Sequence, residues 1–308
     1  MKRDFLSLAD LTRGEIEEIL HLSATLKRDL KAGKRPPLLA GQSLAMIFEK
    51  PSLRTRVTFE VGMTQLGGYA IYLTPKDIQL GERESVADIA RNLDRWVDLI
   101  MARTFSHATL LDLAKHAGVP VINGLSDILH PCQVLSDCFT LIEKRGRLDA
   151  LHVAFVGDGN NVVNSWMNAA ARLGFTFALA CPPGYEPNEA VYGSAVKAGA
   201  KVLVTHSVAE AVTNADVVYT DVWTSMGQEA ESERRRRDFA AYQVNADLLR
   251  HARRDALVMH CLPAHREEEI TSEVLDGPQS IVFDQAENRL HIQKGIMVWL
   301  NDKRPKHR

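Results

Sequence analysis

Short apolar runs rich in β-branched residues alternate along this chain with longer stretches whose apolar positions recur every three or four residues. That alternation predicts strands joined by crossover helices, and hence parallel sheets. In the first half the predicted strands are Leu44–Phe48, Ala70–Leu73, Leu99–Ala102 and Val119–Ile122. In the second half they are His152–Val156, Thr176–Ala180, Lys201–Val204, Val217–Thr220, Ala256–His260 and Ser280–Phe283. A polar stretch, Glu143–Ala150, sets a predicted boundary near residue 148. The expected fold class is α/β. It has two doubly wound parallel-sheet domains, residues 1–148 and 149–287, with the active site in the cleft between them. A last helix, about residues 288–304, is expected to return to the first domain.

Composition narrows the class. At 308 residues the chain exceeds one small core and suits two domains. The 37 basic and 39 acidic side chains leave a formal charge of −2, so there is no basic excess to recognise nucleic acid. The one basic run, Arg234 to Arg237, follows Glu229, Glu231 and Glu233 and reads as a solvated, salt-bridged helix face. No apolar stretch is long enough to span a bilayer, so no membrane partner is expected. The opening Met1-Lys2-Arg3-Asp4 lacks an apolar core, and Glu15, Glu17 and Glu18 follow, which together predict a cytoplasmic protein. The cysteines Cys132, Cys138, Cys181 and Cys261 form no C-x-x-C pair, and neither disulfides nor structural zinc are expected.

The chemically interesting segments all follow strands, where open α/β sheets bind ligands. Phe48-Glu49-Lys50-Pro51-Ser52-Leu53-Arg54-Thr55-Arg56 reads as strand, turn and helix start. Two arginines in a first helical turn have the wrong sign for the helix dipole unless an anion sits there. Free N–H groups, the Ser52 and Thr55 hydroxyls and the Arg54 guanidinium would together hold a phosphate. Arg289, in Ala286-Glu287-Asn288-Arg289, repeats the anomaly at the expected start of the last helix, unless it merely pairs with Glu287. In His130-Pro131-Cys132-Gln133 an imidazole N–H can polarise a carbonyl and a carboxamide can read an NH2 group, although a helix-capping His explains the tetrapeptide equally.

The second half carries different chemistry. Gly157-Asp158-Gly159-Asn160-Asn161 begins like a dinucleotide fingerprint, but Val162 occupies the third glycine position, and the next strand ends without an acid for a ribose. The paired Asn residues suit a zwitterionic small molecule instead. In Asp221-Val222-Trp223-Thr224-Ser225-Met226-Gly227 the acid can hold an ammonium, or simply cap a helix. His260-Cys261-Leu262-Pro263 ends another buried strand; with His265 it matches no common zinc spacing. Glu267-Glu268-Glu269 reads as a moving loop or as plain surface.

Taken in order, S-L-R-T-R at 52–56, H-P-C-Q at 130–133, D-G-N-N at 158–161, D-x-x-x-S-M-G from Asp221, H-C-L-P at 260–263 and A-E-N-R at 286–289 resemble the ornithine branch of the aspartate/ornithine carbamoyltransferase family. The resemblance covers nearly the whole chain. It implies that Ser52, Leu53, Arg54 and Thr55 bind the phosphate of carbamoyl phosphate, with Gln79 reaching the phosphate of a neighbouring subunit. Arg103, His130 and Gln133 would bind the carbamoyl end, Cys261 and Leu262 would sit beside the reacting groups, and Arg289 would contact carbamoyl phosphate. Asn161, Asp221, Ser225 and Met226 would hold the amino and carboxylate groups of L-ornithine. Leu53 departs from the family, where Thr is frequent; the change removes a hydroxyl and keeps the backbone N–H. Homo-oligomers built on trimers are implied, and no metal or organic cofactor. Arg103, His130 and Thr55 would polarise the carbonyl, and Asp221 and Cys261 both remain open as aids to amine deprotonation. Rival readings are transfer to putrescine or an N-acylated ornithine, a nucleotide-dependent dehydrogenase disfavoured by Val162, and a non-catalytic anion-binding protein.

Overall fold

A computed structural model describes residues 2–303 apart from 79, 82 and 226. The chain forms two compact units, Met1–Phe139 with Asn288–Arg308, and Thr140–Glu287. The polar stretch that set the sequence boundary is the end of the Pro131–Arg145 helix and the turn that follows it.

Each unit is built on one parallel sheet. In the first, β1 (Ser43–Phe48), β2 (Tyr69–Leu73), β3 (Leu99–Arg103) and β4 (Val121–Leu125) lie in the order β2-β1-β3-β4. The register pairs Leu44 with Leu99 and Phe48 with Arg103. β3 is wholly buried and β1 nearly so, which is why both read as continuous apolar runs rather than alternating ones. In the second, β5 (His152–Val156), β6 (Thr176–Ala180), β7 (Lys201–Thr205), β8 (Val217–Thr220) and β9 (Leu257–His260) lie in the order β7-β6-β5-β8-β9. The strand order reverses between β1 and β3 in one sheet and between β5 and β8 in the other. These are the switch points where a doubly wound sheet leaves a crevice at its carboxyl edge.

One predicted strand does not form. Ser280 makes a single parallel bridge to Val258, and Ile281 N–H donates to the Val258 carbonyl at 3.0 Å. The chain then enters the Val282–Asp302 helix, with Phe283 72% exposed. A short run such as Ser-Ile-Val-Phe fits a strand or a helix start equally well, and here the helix begins inside it, at Val282. Arg289 therefore lies about two turns inside this helix rather than at its start, and the sign argument made for it fails.

The basic run also differs from expectation. Arg234 and Arg236 are exposed and paired with Glu231 and Glu268, but Arg235 is buried, donating to Asp158 Oδ2 and the Trp223 carbonyl, both at 2.9 Å. At a position facing inward, burial of the stem and three charge-assisted bonds, the third from Nε to Glu231 Oε2 at 3.1 Å, replace solvation. Gly159 has a packing reason: a Cβ there would lie 2.5 Å from Glu186 C and Pro187 N, so the backbone of the 185–187 loop occupies that space. This close approach accounts for the glycine without any dinucleotide.

Candidate active site

The first unit gathers its polar residues beyond β1, β3 and β4. Pro51 breaks the chain after β1, and Ser52 caps the Leu53–Gln65 helix with extended backbone, its Oγ accepting from Thr55 N–H at 3.3 Å. Thr55 is 1% exposed, and its Oγ1 accepts from Arg289 Nη2 at 3.2 Å. Arg289 also donates to Gln133 Oε1, and Gln133 Nε2 donates to Asp137 Oδ1 at 2.8 Å. Glu49 ties the ends of β1 and β3 together: its N–H donates to the Arg103 carbonyl, and its carboxylate accepts from Phe105 N–H. Arg103, His130, Gln133 and Arg289 are all buried. Burial first, then the guanidinium groups of Arg289, Arg103 and Arg54, hold His130 well below the usual imidazole range. Its ring is thus neutral at pH 7, able to donate one N–H without adding a further positive charge. Three guanidinium groups whose charge bears on one buried ring, just before the Pro131–Arg145 helix, would favour an anion nearby.

Arg56 stands apart. It pairs with Glu60 at 3.4 Å and lies over the Tyr72 ring at 3.8 Å, so of the two arginines in S-L-R-T-R only Arg54 joins the cations around His130. Leu53 is 74% exposed. Cys132 is packed inside with its thiol pushed up to about 12 by burial, and its Sγ donates to the Asn123 carbonyl, a structural role. Gln79 lies outside the described residues.

In the second unit the loops after β5, β8 and β9 meet around Asp221. The two asparagines divide the work. Asn160 caps the Asn161–Leu173 helix, its Oδ1 accepting from Val162 and Val163 N–H, and its Nδ2 donates to Asp221 Oδ2 at 2.9 Å. Asn161 is the first residue of that helix and half-buried. Asp221 Oδ1 accepts from Cys261 Sγ at 3.0 Å and from Val222 N–H at 2.8 Å. Asp221 is therefore a hub for the loops rather than a helix cap. Ser225 sits half-buried four residues further on, its N–H donating to Gln228 Oε1 at 3.1 Å, and Met226 lies outside the described residues.

The H-C-L-P segment is held from behind. Leu262 N–H donates to His260 Nδ1 at 2.8 Å, which leaves the ring proton on Nε2, facing Glu269 Oε1 at 3.0 Å. His260 and Glu269 are both 0% exposed, and the same Glu269 oxygen accepts from His265 N–H at 2.6 Å. Leu262 has φ 56°, in the left-handed region, and the Leu262–Pro263 bond is cis. A branched side chain rarely adopts that φ, and its cost is of order 1 kcal/mol or more, sustained by the bonds around it. Glu269 was invisible in a run of three acids, although a buried strand ending in His calls for an acceptor nearby. Donor atoms of Asp221, His260 and Cys261 lie within 4.8 Å of one another, but both imidazole nitrogens and the thiol proton are engaged in these bonds.

Two parallel-sheet units, one with guanidinium groups around a buried imidazole and the other with a polar cluster around an aspartate and a thiol, are the architecture of a two-domain group-transfer enzyme. The chain belongs to the aspartate/ornithine carbamoyltransferase family. The family's carbamoyl-P binding domain matches residues 3–143 and its Asp/Orn binding domain matches 149–300. An ornithine carbamoyltransferase of Syntrophus aciditrophicus is 55% identical over 96% of this chain and 99% of its own length. The solved ornithine carbamoyltransferase of Pyrococcus furiosus is 53% identical, with TM-score 0.93 and coverage of 96% of each chain. The anabolic enzyme of Campylobacter jejuni is 39% identical with TM-score 0.93, covering 99% of this chain and 100% of its own.

Proposed function

We propose that this chain transfers the carbamoyl group of carbamoyl phosphate to the side-chain amine of L-ornithine, giving L-citrulline and phosphate. The observation that carries the reading is buried His130, under the charge of Arg289, Arg103 and Arg54, with Arg289 hydrogen-bonded to both Thr55 and Gln133. Ser52, Thr55, the Leu53 and Arg54 N–H groups and the Arg54 guanidinium take the phosphate; Arg103, His130 and Thr55 polarise the carbonyl; Gln133 and Arg289 bind the carbamoyl end. Asn161, Asp221, Ser225 and Met226 hold L-ornithine, and Gln79 completes the phosphate site.

The amine nitrogen's lone pair forms the new N–C bond, and charge collects on the carbonyl oxygen. Collapse of this tetrahedral species breaks the C–O bond to phosphate, which leaves with the electron pair. The ammonium form that predominates at neutral pH must first lose one proton to expose its lone pair, and the nitrogen sheds a second as the tetrahedral species collapses, which the departing phosphate can take up. Asp221 and Cys261 support the first of these losses: they share a hydrogen bond 3.0 Å long, so a proton taken near the thiol has a carboxylate to stabilise it. Leu262 and Cys261 flank the reacting amine. No organic cofactor or metal enters this scheme.

A homo-oligomer built on trimers fits the surface of the first unit. Leu53, Val57 and Val61 are 74%, 44% and 38% exposed along one helix face, and the edge strand β2 exposes Tyr69 and Ile71. Exposed apolar residues spaced in this way suit burial against another subunit. No described helix is long and apolar enough to cross a membrane, and we place the enzyme in the cytoplasm, in arginine biosynthesis. Arg54→Ala tests the phosphate assignment: kcat/KM for carbamoyl phosphate should fall by about a hundredfold or more. An unchanged value would remove Arg54 from the site.

A further inference from the structure

The carboxamide of Gln133 is held at both ends by groups that permit one orientation. Its nitrogen donates to Asp137 Oδ1 at 2.8 Å, and its oxygen accepts from Arg289 Nη1. A carboxylate only accepts and a guanidinium only donates. Turned over, the amide would set its N–H groups against a guanidinium and its oxygen against a carboxylate. Gln133 and Arg289 are 2% exposed and Asp137 is 0% exposed, so water is poorly placed to relieve either clash. Gln133 and Asp137 are four apart on the Pro131–Arg145 helix and share a face, which fixes the pair within one rigid element.

We infer that Asp137 is a specificity-determining positioning residue: by claiming the N–H of Gln133 it presents the amide oxygen as an acceptor, which selects a carbamoyl donor over an acetyl or other acyl phosphate. The inference rests on the carbamoyl-phosphate reading above. An amide oxygen accepts two hydrogen bonds, so Arg289 and the NH2 of a carbamoyl group can share it. An acetyl group offers only CH3 there and leaves the acceptor unsatisfied, the kind of mismatch by which polar sites reject analogues. Asp137 acts through Gln133; the oxygen that reads the substrate is Gln133 Oε1.

The test uses the full-length protein with saturating L-ornithine. In wild type, D137N, Q133E and the double variant Q133E/D137N, three quantities are measured: kcat/KM for carbamoyl phosphate, the inhibition constant of inorganic phosphate, and Tm. D137N keeps the shape but lets the amide turn, so kcat/KM for carbamoyl phosphate should fall about tenfold, the worth of one hydrogen bond. The inhibition constant of inorganic phosphate, which has no NH2 to read, should stay within about twofold. Q133E sets a second carboxylate against Asp137 and should be worse. Adding D137N gives that new carboxylate an amide donor, and the double variant should recover about tenfold or more over Q133E. If D137N folds poorly, the double variant against Q133E carries the same test. The inference is overturned if D137N shifts the carbamoyl phosphate and inorganic phosphate constants together, or if the double variant is no better than Q133E. Failure of the underlying reading is distinguished beforehand, by a folded wild type that neither turns over carbamoyl phosphate nor binds phosphate; that result removes the inference as well.

Discussion

Replacing Glu269 tests whether the H-C-L-P turn is held by an acceptor or by a charge. One carboxylate oxygen accepts from His260 Nε2 at 3.0 Å and His265 N–H at 2.6 Å, with the Glu269 and His260 side chains 0% exposed. Glu269→Ala strands the buried His260 donor in a cavity, whereas the His265 N–H belongs to an exposed residue and can turn to water. A buried donor without a partner costs about 1–3 kcal/mol, and that is the loss predicted. Glu269→Gln keeps a carbonyl oxygen in place and forfeits only the charge-assisted share, about 1 kcal/mol. The consequence reaches function because His260 Nδ1 anchors Leu262 N–H, and with it the left-handed backbone beside Cys261. Denaturant midpoints should rank wild type, Glu269→Gln, then Glu269→Ala well below. The KM for L-ornithine should rise for the alanine variant and change little for glutamine. Equal midpoints for wild type and Glu269→Ala would refute the hydrogen-bond account. Glutamine as damaging as alanine would show that the negative charge, not the acceptor, is what matters.

Two further outcomes follow from buried groups. Lys294 donates to Gln65 and has its pKa lowered to about 8, by burial first and then by Arg35. A lysine lowered on folding costs stability fully below the folded value, and the cost fades as pH rises toward the unfolded value of 10.5. Lys294→Met should therefore raise stability at pH 7 by on the order of 1–3 kcal/mol, with the gain shrinking by pH 10 in denaturant titrations; a pH-independent difference would contradict the linkage. Thiol labelling gives the second outcome. Cys132, Cys138 and Cys181 are buried, with Cys132 and Cys181 pushed up to about 12, whereas Cys261 is partly exposed. An alkylating reagent at neutral pH should modify Cys261 alone in the native protein, as read by mass spectrometry, and norvaline should slow it. Modification of Cys132 first would contradict the packing described.

Much of the fold was legible because buried parallel strands write themselves as apolar β-branched runs; β5, β6 and β8 begin and end where the sequence places them. Ser280–Phe283 misled because three apolar residues in a row carry no period of their own. The sign argument at the Leu53–Gln65 helix rested on two arginines in its first turn, and one of them, Arg56, is met locally by Glu60 and the Tyr72 ring. What stayed hidden depends on partners distant in sequence. Arg235 sits among three solvated arginines, and only Asp158 and the Trp223 carbonyl, brought close by folding, distinguish it. Glu269 sits among three acids in the same way. Asn160 and Asn161 are indistinguishable as letters until the helix start makes the first a cap and the second the opening residue of the helix. Asp137 reads as one polar residue in a helix until its bond to Gln133 is seen.

The identity of the acceptor is what product formation tests most directly. Citrulline formed from carbamoyl phosphate should be measured with L-ornithine in competition with putrescine, N-acetylornithine and aspartate. The account predicts selective turnover of L-ornithine, because Asn161, Asp221 and Ser225 are assigned to both its amino and its carboxylate groups. Preferred turnover of another amine, or none with any of the four, would contradict it.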